Sequence, residues 1–144
     1  MPIALDRDNH RCQLMARVTG VLTIYETLEF LHTARADPAV ETWPLLFDTR
    51  GATTSMTPEE VEAAVAVVDA IRRTSTIARG HVAIIADDDR LYARMVLFET
   101  LLNEIGVRSV RAFRQSAAAE RWLSIMRAGA VFLSAQRFNT RAAS

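Results

Sequence analysis

Lysine is absent from this chain: all 17 basic residues are Arg. The absence rules out a phosphorelay receiver, whose alternating α/β order also ends a strand on Asp but which needs a Lys after its fifth strand. Cysteine is nearly absent too. Cys12 stands alone, so no internal disulfide can form, and a reducing, cytoplasmic setting is expected. No apolar stretch approaches the roughly 20 residues that cross a bilayer, so no transmembrane segment is expected. Met1 to Asp8 also lacks the basic and then apolar pattern of a secretory signal. Low-complexity tracts and internal repeats are missing, which argues against disorder and solenoids.

The motifs of chemistry are missing as well. There is no G-x-G-x-x-G, no Walker G-x-x-x-x-G-K-[ST] and no G-x-S-x-G elbow. His10, His32 and His81 do not fall at H-E-x-x-H spacing, and one Cys cannot build a zinc cluster. Asp87-Asp88-Asp89 is the one acidic run. Consecutive residues entering a helix point in different directions, and acids there meet the helix dipole favourably, so capping is the expected role. No catalytic residue, metal or cofactor is therefore expected.

What is present is a balanced charge with an uneven distribution. Residues 1–100 carry 15 acids against 10 Arg, and residues 101–144 carry 2 acids against 7 Arg, net +5. The basic third lacks the clustered Arg and interleaved aromatics of a nucleic-acid surface, so no nucleic-acid partner is expected. It is suited to attracting an acidic partner or anionic lipid.

Half of the residues are apolar, and their spacing alternates between strand and helix. Ile3 to Asp8 and Gln13 to Val18 read as a hairpin across Asn9-His10-Arg11. Thr23-Ile24-Tyr25-Glu26 is a capping box opening a helix whose Ile24, Leu28 and Leu31 share a face, to about Arg35, and Asp37-Pro38 ends it. Leu45-Leu46-Phe47 is an unbroken apolar run of the kind covered on both faces of a parallel sheet. Asp48 to Met56 is then a polar loop, and Thr57-Pro58-Glu59-Glu60 a second capping box with Pro at the first helical position. Val61, Ala64, Val65, Val68 and Ile71 form the stripe of that helix. Val82 to Ala86 is a further buried strand. Leu91, Met95, Phe98, Leu102 and Ile105 mark the next helix, closed by Gly106. Val107 to Phe113 reads as a mixed strand near an edge. Ser116 is placed to cap a last helix that buries Ala119, Trp122, Leu123 and Met126, with Gly129 as its stop.

The order ββαβαβαβα predicts one α/β domain. Its sheet is five-stranded and mostly parallel, with an antiparallel N-terminal hairpin strand and about four helices on its faces. The landmarks are the strand ending Leu46-Phe47-Asp48, His81-Val82-Ala83-Ile84-Ile85 followed by acids, and Val110-Arg111-Ala112-Phe113 with Ala119-Glu120-Arg121-Trp122-Leu123. With them the chain resembles the SpoIIAA-like branch of the STAS and SEC14-like domains over residues 1 to about 126. A domain over 1–128 and a partly flexible extension over 129–144 follow, with Val131-Phe132-Leu133 free to dock, pair or swap as a short strand and 136–144 mobile.

The resemblance implies a regulatory or protein-interaction module, or alternatively a domain for a small apolar or amphipathic ligand. Relatives of the anti-sigma antagonist kind carry Asp-Ser-Ser-Gly after the central strand, with a phosphorylated Ser. Here Gly51 to Thr57 occupies that loop without the motif, leaving Ser55 and Thr57 as candidate phosphoacceptors. The candidate ligand or partner surface is Asp48, Arg50, Thr53, Thr54, Ser55, Asp87 and Arg114. In the ligand reading Leu22, Ile24, Tyr25, Met56, Tyr92 and Met95 line a pocket at the strand ends, with Arg50 or Arg114 pairing an acidic head group. A homodimer through exposed helix faces is a further expectation.

Overall fold

In the computed structural model the described residues are 3–34, 37–74 and 80–143, with the side chains of 31, 74 and 130–143 outside the description. The predicted hairpin forms with the predicted bounds. β1 (Ile3–Asp8) runs antiparallel to β2 (Gln13–Val18), Ile3 opposite Val18 and Asp8 opposite Gln13. β4 (Leu45–Asp48), β6 (Val82–Ile85) and β7 (Val110–Phe113) then add in parallel, giving the sheet order β1-β2-β4-β6-β7. Two short strands that sequence reasoning missed, β3 (Val21–Leu22) and β5 (Thr53–Thr54), pair in parallel as a separate two-stranded sheet. Two-residue strands show no periodicity. Only their meeting across some thirty positions defines them.

The helices are α1 (Ile24–Ala34), α2 (Pro58–Thr74), α3 (Asp89–Glu104) and α4 (Ser116–Ala143). Both capping boxes form. Glu26 N–H donates to Thr23 Oγ1 (3.2 Å) and Thr23 N–H to Glu26 Oε1 (3.3 Å), and the same exchange links Glu60 and Thr57 at 3.2 and 3.0 Å. After α1, Asp37 accepts from Ala39 N–H and starts a 3₁₀ turn, Pro38–Val40. Residue 35, where the helix was expected to end, lies outside the described residues. Gly106, at φ 87, caps α3 as expected.

The strand order explains where the helices lie. It steps in one direction from β2 to β7, so successive right-handed crossovers place their helices on the same face. Leu14, Ala16, Val18, Leu45, Phe47, Val82 and Ile84 accordingly pack in one core with Ile24, Leu28 and Phe30 of α1, Val61, Ala64 and Val65 of α2, and Leu91, Met95, Phe98 and Leu102 of α3. The alternate residues Leu46, Ala83 and Ile85, with Phe113 of β7, face α4 alone, against Ala119, Trp122, Leu123 and Met126.

Four expectations are corrected. α4 continues through Gly129 to Ala143. Gly129 is not in the left-handed region, and a glycine within a helix costs about 1 kcal/mol without ending it. The tail is therefore helical and not a strand, while the expected mobility of 136–144 concerns side chains outside the description. Ser116 is the first helical residue and not the cap: the first helical bond runs from Ala119 N–H to the Gln115 carbonyl. The last strand starts at Val110 and not Val107. Ile71 is 40% exposed. α2 is about 25 Å long and the strands beneath it only about 13 Å, so the stripe outruns the sheet.

Candidate functional site

The seven candidate surface residues all lie at the C-terminal end of the parallel strands, but they are not all available. Asp48 ends β4, beside Arg17 of β2 in register. Its buried carboxylate takes the Arg50 guanidinium in two-point contact, Nε to Oδ1 at 2.9 Å and Nη2 to Oδ2 at 2.7 Å, and the Arg50 backbone N–H at 3.0 Å. Burial alone raises the Asp48 carboxyl. The Arg50 hydrogen bonds and the Arg50 and Arg17 charges outweigh it and hold the group below the ordinary Asp value. Arg50 is raised in return, chiefly by Asp48.

The loop that follows is riveted. Thr49 donates its N–H (2.8 Å) and its hydroxyl (2.6 Å) to the Ile85 carbonyl. Ala52 N–H closes a turn on the Thr49 carbonyl at 3.0 Å, and Gly51 supplies the positive φ of 84° that the turn needs. Gly51 N–H reaches Asp87 Oδ1 at 3.0 Å. The Thr54 hydroxyl donates to the Leu22 carbonyl (2.7 Å) and accepts from Met56 N–H (3.0 Å). From α3, Arg94 Nε holds the Met56 carbonyl at 2.9 Å. Thr54 is thus buried and fully used, Thr57 Oγ1 caps α2, and Thr53 and Ser55 are left exposed.

The acidic run divides its work. Asp87 takes Gly51 N–H, Asp88 caps α3 through Leu91 N–H (2.9 Å), and Asp89 pairs with Arg114 at 2.8 Å. Arg114 also donates to the Asp87 carbonyl oxygen (3.1 Å) and lies over the Tyr92 ring at 4.2 Å. Both Arg residues expected to hold an acidic head group therefore already have carboxylate partners. Of the residues expected to line a pocket, Leu22, Ile24, Met56 and Met95 are buried in the main core, and Tyr25 is 74% exposed.

What sequence reasoning missed is Val21. It is 54% exposed and lies opposite Thr53 in the small sheet, and Tyr25 follows in the first turn of α1. Val21, Tyr25, Thr53 and Ser55 are among the exposed residues of this edge. A one-directional strand order also lacks the reversal at which open α/β sheets form their ligand crevice. No family model matches the chain, and no curated protein or solved structure matches it.

Proposed function

We propose that the protein is a non-catalytic, regulatory protein-interaction module of the SpoIIAA-like kind, and that it binds its partner with the edge formed by β3, β5 and the start of α1. The carrying observation is the exposure of Val21, opposite Thr53 on a loop fixed by the Thr54, Gly51 and Arg94 hydrogen bonds, and of Tyr25 in the first turn of α1 four residues on. An exposed aromatic and a β-branched residue on a rigid support lose little entropy on binding, which is how anchor residues of interfaces work. The alternative, a pocket for a small apolar ligand at the same strand ends, has less support, because Leu22, Ile24, Met56 and Met95, which would line it, are buried in the core.

A photo-crosslinking residue placed at Tyr25, in cells, is expected to capture a discrete protein adduct, whereas the same residue at Thr100 on α3 is not. Equal labelling at both positions, or none at Tyr25, overturns the reading. A small molecule that repeatedly copurifies in native mass spectrometry transfers the support to the ligand reading.

A further inference from the structure

A second surface lies further along α1, where the edge strand β1 meets it. Ile3, Leu5, Phe30 and Ala34 make its apolar floor, with Glu26, Glu29 and Thr33 along α1 beside them, around a groove of about 180 Å³. Sites for drug-sized ligands run roughly 300–1,000 Å³, so this volume fits one large side chain of a protein segment better than a free ligand. The Glu26 carboxylate is engaged by its own capping box. Glu29 is exposed, and its carboxylate has no partner among the described residues. The groove therefore calls for an apolar segment that brings positive charge.

The chain supplies such a segment. After Glu120 every charged residue is Arg (Arg121, Arg127, Arg137 and Arg141), and Phe132, Leu133 and Phe138 are interspersed. α4 packs on the Leu46, Ala83 and Ile85 face through Ala119, Trp122, Leu123 and Met126, and Arg127 reaches Gln13 Oε1 at 3.1 Å. The helix then continues to Ala143, about 24 Å further at 1.5 Å per residue. One continuous helix lying on that face cannot turn onto the α1 side of its own sheet. A second molecule's helix can.

We infer that the groove between β1 and α1 receives the distal half of α4 from a second copy of the chain. Each protomer offers one arm and one groove, so a reciprocal exchange closes as a two-fold dimer and does not propagate. The acidic side of the groove and the arm's Arg residues supply register and orientation.

Light scattering on the full chain at low salt is expected to give twice the 16.0 kDa chain mass, with dissociation as salt rises. Glu29→Arg is expected to raise the dimer dissociation constant about tenfold. Leu5→Asp, which puts a charge on the apolar floor, is expected to raise it similarly. A chain carrying Arg137→Glu and Arg141→Glu is weakened alone. Mixed with the Glu29→Arg chain it forms a heterodimer, because both grooves then meet arms of opposite charge. Circular dichroism confirms that each variant is folded. A chain that stays monomeric at every concentration, a dimer that both groove variants leave intact, or a charge-swapped pair that fails to associate overturns the inference. Tyr25 stands one turn from Glu29, so a Tyr25 adduct of two copies of this chain belongs to this dimer, and an adduct with a different protein belongs to the partner reading.

Discussion

The two faces of the sheet are made from the same strands and are unequally covered. Leu45 and Phe47 point into a core shared with three helices, and Leu46 between them meets α4 alone. On the α4 side Met15 is left 43% exposed. The richly covered face fixes the loop after β4 and the edge that carries Val21 and Tyr25. The sparsely covered face meets a single helix, α4, through Ala119, Trp122, Leu123 and Met126.

The largest test of this inequality is Phe47→Ala, which empties a fully buried site whose ring meets Phe30 in a tilted contact at 5.4 Å. A loss of about 4 kcal/mol in denaturant unfolding is expected. Leu123→Ala on the other face is expected to cost about 2.5 kcal/mol, within the range for buried Leu, and to release α4 amides to hydrogen exchange before those of α2 or α3. Equal costs with uniform exchange would abolish the distinction between the faces.

Thr54→Val sharpens the comparison further. It removes one hydroxyl that serves two backbone groups, Leu22 O and Met56 N–H. A cost of about 1.5 kcal/mol is expected. It should be accompanied by faster exchange in residues 20–22 and 53–56 while α4 stays unchanged. The smallest effect concerns acid. The Asp48 carboxyl is depressed in the folded protein, so its stabilisation is complete above the unfolded value near 3.8 and is lost as pH falls through the folded one. As pH falls from roughly 4 to 2, the unfolding free energy should drop less steeply in Asp48→Asn than in the parent. Parallel curves would show that Arg50 contributes nothing through this pair.

Much of the fold was legible because it rests on local chemistry. The hairpin bounds, both Thr-to-Glu capping boxes, the Asp88 cap and the left-handed Gly106 follow from side chains bonding within a few residues of themselves. The candidate site was legible in location and less so in composition. Asp48, Arg50, Asp87 and Arg114 do converge, but as partners of one another. Thr54 looked like a surface hydroxyl and is a buried rivet, while Val21 and Tyr25 are the exposed groups. Nothing in the spacing of Val21 and Thr53 announces that they meet, since their pairing spans some thirty residues.

The sequence by itself therefore determined the elements, their order and their caps, since periodicity and capping act within a turn or two of chain. Only the tertiary structure decided the one-directional strand order, the three-to-one division of helices, and which polar groups are satisfied and which remain exposed. Those outcomes depend on contacts between distant segments, and it is at such contacts that a side chain's chemistry is either consumed or left for a partner.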